Sequence, residues 1–210
     1  MKQKKRIAVM ISGNGSNLQA LIDHQDSLDG EIVLVLSSNE EAKGLERARA
    51  VGIDGICIDS NAFAERSVYE QMMLNTLEAY QVDLIVLAGY MRILGPTFIQ
   101  TYANRLVNVH PALLPSFGGP GYYGERVHQA VLDAGVKVTG ATVHFVTEET
   151  DAGPIILQEC VRVQQKDTIA LLQKKVLEVE HRLLVAAVRL FCQDRLIVNH
   201  NCVDIVGMEE

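Results

Sequence analysis

A chain of 210 residues that is 48% hydrophobic and 21% charged has the balance of an ordinary soluble globular protein and can bury a sizeable core. Nineteen basic residues against 26 acidic ones leave a net charge of −7, so the basic footprint of a nucleic-acid binder is missing. Dominant disorder is excluded by the abundance of Val, Ile and Leu, and a membrane span by the shortness of the apolar runs.

The basic start, Met1 to Arg6, is followed by apolar residues only from Ile7 to Ile11 and by no small-residue cleavage site, so it reads as the approach to a first strand. Glycine and asparagine follow, then Leu18, Leu21 and Ile22 at helical spacing. Ile32 to Leu36 predicts a second buried strand. Leu45 and Ala48 predict a helix closed by Gly52, and Ile56 to Ile58 a short strand. Val68, Met72, Leu77 and Tyr80 predict a longer helix, whose apolar stripe with Met72 and Met73 is read as core rather than binding surface. Leu84 to Ala88 predicts a strand, Pro96 the first turn of a helix, and Leu106 to His110 the next strand. This alternation implies a parallel sheet with helices on both faces.

Residues 116–124 hold four of the chain's 16 glycines and read as a mobile loop. Val127, Val131 and Leu132 predict a helix ending at Gly135. Lys137 to Val146 and Ile155 to Val163 are strand-like runs joined too briefly for a helix, hence an antiparallel pair and a mixed sheet. Asp167 is expected to cap a long helix carrying Ile169, Leu172, Val176, Val179 and Leu183 on one stripe. Arg195 to Val206 predicts a small terminal hairpin. The fold class is therefore α/β, a Rossmann-like, mostly parallel sheet with antiparallel strands toward the C-terminus, in a single domain over 1–210. Cys57, Cys160, Cys192 and Cys202 form no C-x-x-C pair, which suits a reducing cytoplasm and argues against zinc.

Three stretches could carry chemistry. Ser12, Gly13, Asn14, Gly15, Ser16 and Asn17 follow the first strand and open the first helix, where free amides and the helix dipole suit an anion. Leu18 stands where a dinucleotide fingerprint needs its third glycine, and Ser37-Ser38-Asn39 stands where it needs a ribose-binding carboxylate. A single phosphate is favoured, with a plain strand-to-helix turn as the alternative. Asn108 and His110, two apart, share one face at a strand's carboxyl end and suit an oxyanion donor beside a proton shuttle, or else a structural histidine. Thr147 to Pro154, with Glu148, Glu149 and Asp151, form an acidic loop that is either solvated or close enough for Asp151 to favour a charged His110. His144 reads as a core or supporting residue rather than a catalyst. No metal-binding spacing is present.

Taken together, residues 11–19, 87–94, 108–115 and 140–154 resemble, in order and across nearly the whole chain, the phosphoribosylglycinamide formyltransferase family. The resemblance implies transfer of a formyl group from 10-formyltetrahydrofolate to the amino group of 5-phosphoribosylglycinamide in purine biosynthesis, without a metal. It implies a catalytic trio of Asn108, His110 and Asp151. It implies a ribonucleotide site at Gly13, Asn14, Gly15, Ser16, Asn17, Leu18 and Glu180. A folate site is implied at Arg66, Met91, Arg92, Ile93, Leu94, Asn108, Thr147, Glu148, Glu149, Thr150 and Asp151. Two departures stand out: Leu177 occupies a position where a polar partner is expected, and the loop at 117–124 is longer than in many members. The implied partners are small molecules, with neither nucleic acid nor membrane, in the cytoplasm; a homodimer is left open. Among relatives with the same N-x-H…D core, a methionyl-tRNA formyltransferase is expected to add a carboxyl-terminal domain and a more basic surface. A 10-formyltetrahydrofolate hydrolase is expected to add an amino-terminal regulatory domain. A non-catalytic nucleotide-binding module would leave Asn108, His110 and Asp151 unexplained.

Overall fold

The computed structural model describes residues 3–207, so Met1 and Lys2 of the basic start lie outside the described residues. It divides into two compact units, one ending at Val107 and one beginning at Asn108. The sheet has the strand order β3-β2-β1-β4-β5-β6-β7, with a separate β8-β9 hairpin. Among the described residues no helix is long and apolar enough to cross a membrane.

The first unit runs β1 (Lys5–Ile11), α1 (Ser16–Asp23), β2 (Gly30–Ser37), α2 (Lys43–Ala50), β3 (Asp54–Cys57), α3 (Arg66–Ala79), β4 (Leu84–Leu87) and α4 (Pro96–Thr101), then enters β5 (Leu106–His110). β1 pairs in parallel with β2 and β4, and β2 with β3. Residues 7–11 are fully buried, as a strand covered on both faces requires. Winding starts at β1, moves out to β3, then resumes on β1's other side at β4. That is a topological switch point, and the loops that leave β1 and β4 there are where open α/β sheets bind ligands.

Two expectations shift in this unit. The third strand is Asp54–Cys57 rather than Ile56 to Ile58, because its ladder with β2 pairs Leu34 with Asp54 and ends at Ser37 with Cys57. On α3 the buried face is Tyr69, Met73 and Leu77, while Val68 is 54% exposed and Met72 47%. Both faces carry an i, i+4 pair, so spacing alone does not choose between them. The unbroken i, i+4, i+8 stripe is the one that buries more apolar area, at roughly 1.5–3 kcal/mol per large side chain.

The second unit comprises the end of β5, α5 (Glu125–Asp133), β6 (Val138–Phe145), β7 (Ile155–Arg162), α6 (Ile169–Cys192), β8 (Leu196–Asn199) and β9 (Cys202–Ile205). β6 and β7 are antiparallel, and so are β8 and β9. Leu172, Val176, Val179 and Leu183 form the buried stripe of α6, as expected. Its cap, however, is Thr168, whose hydroxyl accepts from the Leu171 amide at 3.3 Å. Asp167 instead accepts from the Gln164 amide at 2.9 Å and pairs with Lys175 at 2.7 Å, closing the turn ahead of the helix.

Candidate active site

In the second unit, Asn108 and His110 share one face of β5, Asn108 half-buried and His110 4% exposed. The turn after them is tied down by Thr142, whose hydroxyl donates to the Ala112 carbonyl at 2.6 Å and accepts from the Leu114 amide at 3.0 Å. β6 adds His144, and the β6–β7 ladder is bulged there: Val143 faces Leu157 but His144 faces Ile155, which leaves Ile156 as the extra residue. A bulge twists the strand and re-aims the side chain beside it.

Asp151 comes from the β6–β7 loop, in a left-handed conformation at φ 56°. The loop's base is closed by the Phe145 amide on the Pro154 carbonyl at 2.9 Å. Gly153 permits this closure, since a Cβ there would stand 1.9 Å from the Phe145 oxygen. Asp151 Oδ2 lies 3.5 Å from His110 Nδ1, and Oδ1 lies 3.7 Å from His144 Nε2. The acidic loop therefore brings its aspartate to the histidine. Glu148, Glu149 and Thr150 remain exposed, and Thr147 donates to the Glu149 carbonyl at 3.1 Å.

Hydrogen-bond partners assign the protons. The Phe117 carbonyl, 2.8 Å from His110 Nε2, can only accept, so Nε2 carries the proton of the neutral ring. Nδ1 then faces the Asp151 carboxylate and is the ring position open to a second proton. The Phe145 carbonyl likewise makes His144 Nδ1 a donor at 2.9 Å, leaving a lone pair on Nε2. Asn108 Nδ2, 3.2 Å away, donates to that lone pair. This fixes which way the Asn108 amide points and leaves its second N–H for an incoming oxygen. Burial lowers the His144 pKa below its ordinary value and outweighs the Phe145 carbonyl and Asp151, which raise it; His110 lowers it further. His144 stays neutral and orients its neighbour.

The glycine-rich loop, expected to be mobile, is pinned at two points. Phe117 accepts from His110, and the Gly119 amide donates to Asp151 Oδ2 at 2.9 Å. Downstream on α5, His128 is buried with its Nδ1 unpartnered among the described residues. Burial first, and the charge of His110 second, lower its pKa to about 4. Glu180 lies on the buried side of α6, one turn from the half-buried Leu177.

In the first unit, the turn from β1 into the start of α1 carries Gly13 to Asn17. Gly15 is the α1 cap in a left-handed conformation, φ 70° and ψ 35°, which glycine adopts without strain. Asn17 and Leu18 are buried in the first turn of α1. The loop after β4 exposes Met91, Arg92 and Ile93, the last at 71%, and buries Leu94. Three tethers hold this loop. The Met91 amide donates to Ser12 Oγ at 2.9 Å, Arg66 donates to the Ile93 carbonyl at 2.8 Å, and the Gly95 amide donates to Glu70 at 2.8 Å. Arg66 also pairs with Glu70 at 2.6 Å. Arg66, at the start of α3, thus braces the loop after β4, and Glu70, buried behind it, is a residue sequence reasoning missed. An i, i+4 Arg–Glu pair reads as an ordinary solvated helix pair, so nothing in the sequence marked it.

The formyl transferase family profile matches residues 5–188. The phosphoribosylglycinamide formyltransferase of Escherichia coli (strain K12) is 40% identical over 96% of this chain and 93% of its own. The trifunctional purine biosynthetic protein adenosine-3 of Bos taurus is 41% identical over 95% of this chain, which spans only 19% of that longer protein. Among solved structures, glycinamide ribonucleotide transformylase 1 from Symbiobacterium toebii superposes with a TM-score of 0.92 at 42% identity, covering 97% of this chain and 95% of its own. A formyltetrahydrofolate deformylase from Pseudomonas syringae gives 0.86 at 32% identity, covering 97% of this chain and 66% of its own. With a profile match over most of its length and near full-length overlap with the Escherichia coli relative, the chain belongs to the formyl transferase family, in the company of its phosphoribosylglycinamide formyltransferases.

Proposed function

We propose that this chain transfers a formyl group from 10-formyltetrahydrofolate to the primary amine of 5-phosphoribosylglycinamide, a step of purine biosynthesis in the cytoplasm. The observation that carries the reading is the clustering of Asn108, His110 and Asp151, from one strand and one remote loop, with a proton position at His110 Nδ1 facing a carboxylate.

The amine attacks the formyl carbon and negative charge develops on the formyl oxygen. The free N–H of Asn108 and the Nδ1–H of charged His110 stabilise that oxygen, where losing one such donor costs about 3–4 kcal/mol. As the tetrahedral intermediate breaks down, the bond from carbon to the folate N10 cleaves and His110 delivers its proton to that nitrogen. The proton lost by the attacking amine returns to the His110 ring that gave its own to N10, so the cycle closes and no other reactant is consumed. Asp151 holds its carboxylate against His110 Nδ1 and keeps the ring oriented through the cycle. The nucleotide's phosphate is assigned to the amides of residues 13–17, and its remaining contacts to Leu18 and Glu180. The folate is assigned to Met91, Arg92, Ile93 and Leu94, with Arg66 bracing them, and to Asn108 and residues 147–151. Exposed apolar side chains at Met91 and Ile93 suit a flat ring system.

A second reading, hydrolysis of the formyl-folate, is favoured by the likeness to the Pseudomonas syringae deformylase. Single-turnover reactions of the formyl-folate with and without the glycinamide nucleotide decide between them. The transferase requires the nucleotide. A hydrolase turns over without it, and a binding module turns over in neither case.

A further inference from the structure

Helix α2 carries two residues that nothing above uses. The Gly44 amide donates to the Gly13 carbonyl at 3.2 Å. Arg47 donates from Nε to the Asn14 carbonyl at 2.9 Å, from Nη2 to the Asn14 side-chain oxygen at 3.3 Å, and from Nη1 to Gln19 Oε1 at 2.8 Å. Two successive carbonyls of the loop after β1 are therefore turned toward α2. In a trans peptide the C=O and N–H point in opposite directions, so tying down the Gly13 and Asn14 carbonyls turns the Asn14 and Gly15 amides the other way. With Gly15 left-handed, successive amides line a concave, anion-sized turn.

The approach of α2 depends on glycine at both points of contact. A Cβ on Gly15 would stand 2.9 Å from the Gly44 Cα, and one on Gly44 would stand 2.3 Å from Ile11 Cδ1. Only this closeness lets a half-buried guanidinium on the next turn of α2 reach the loop's backbone. Its planar donors reach two residues at once, which a lysine ammonium on its flexible stem does poorly.

We propose that Arg47 is a positioning residue for the nucleotide's phosphate: it holds the Asn14–Gly15 peptide with its amide toward the anion and places a fixed positive charge behind it. The proposal rests on the phosphate reading of residues 13–17. It is tested on the full chain with Arg47→Gln, Arg47→Lys and, as a control on that reading, Gly15→Val. The readouts are steady-state constants for both substrates, calorimetric titration with inorganic phosphate, and titration with the nucleotide and its dephosphorylated nucleoside.

Arg47→Gln is expected to raise the nucleotide KM at least about tenfold and leave kcat within about threefold, the split expected for a group that binds ground and transition states alike. The folate KM holds, and the preference for nucleotide over nucleoside collapses. Arg47→Lys keeps the charge and recovers part of the affinity, and it stands in if the glutamine variant fails to fold. An unmoved nucleotide KM in both Arg47 variants, with Gly15→Val weakened, overturns the proposal. Equal losses for nucleotide and nucleoside overturn it too, since Arg47 then only props the loop. If Gly15→Val also leaves the nucleotide KM unmoved, the phosphate reading itself falls.

Discussion

In the first unit the loop after β1 presents backbone amides, and the side chains around it serve to aim the peptide planes. In the second unit the cluster at the end of β5 presents side chains, with Asn108 and His110 from one strand, His144 from a bulged neighbour and Asp151 from a loop 41 positions beyond His110 in sequence. A backbone site needs only the right local conformations, so glycines at fixed offsets specify it. A side-chain site needs several elements at fixed separations, so its performance depends on partners such as the Phe117 and Phe145 carbonyls that have no chemical identity in the sequence. The two regions should therefore fail differently when mutated: the first in affinity, the second in rate.

The largest effect is expected at Asp151. Asp151→Asn removes the charge facing His110 Nδ1 at nearly constant volume, and kcat should fall by about 10²–10³-fold or more. Titration calorimetry with the nucleotide should meanwhile show unchanged affinity. A variant that loses affinity instead would erase the division between the two regions. At Gly15 the opposite pattern is expected. A valine at φ 70°, pressed on Gly44, should cost at least about tenfold in nucleotide KM through the misplaced amides, with a smaller change in folate KM.

His144 sharpens the comparison, because it sits in the proposed catalytic cluster, against Asn108 and Asp151, without a role on the reacting atoms. His144→Phe removes the acceptor that orients Asn108, and a loss of about tenfold in kcat is expected, as for one misaimed donor. Because burial keeps His144 neutral, the pH at which activity falls on the acid side should not move with it. A shifted acid limb would show that His144 titrates in the working range.

The smallest effect concerns stability. Unfolded, the His128 imidazole takes its proton near pH 6.5; folded, burial and the nearby His110 lower that to about 4. Between those values the unfolded chain binds more protons, so stability should fall as pH drops through this window, by up to about 1.4 kcal/mol per unit for each such group. Buried His144 acts in the same direction. Urea melts of His128→Leu at pH 7 and pH 5 should show a shallower loss than the parent; an identical loss would place the acid sensitivity elsewhere.

The elements of the first unit could be read from residue order because their patterns are local: buried strands as apolar runs, helices as 3.6-residue spacing, the turn into α1 as glycine between them. The resemblance of four ordered stretches carried the family as well. Spacing failed where two answers fit it equally. On α3, Val68 and Met72 repeat at the same interval as Tyr69 and Met73, and packing chose between them. At the start of α6, Asp167 and Thr168 are both good caps, and the turn to Gln164 with the Lys175 pair claimed the aspartate.

Within the sites the division is the same. Chain order alone supplied Asn108 beside His110, because alternation on a strand puts residues two apart on one face. Whether Asp151 reached them, which imidazole nitrogen bears the proton, and why Arg66, Glu70 and Arg47 are engaged by the loops were settled only by tertiary structure. Each depends on a partner brought within about 4 Å from far along the chain, and hydrogen-bond and ion-pair energies decay too steeply with distance for residue types alone to imply them.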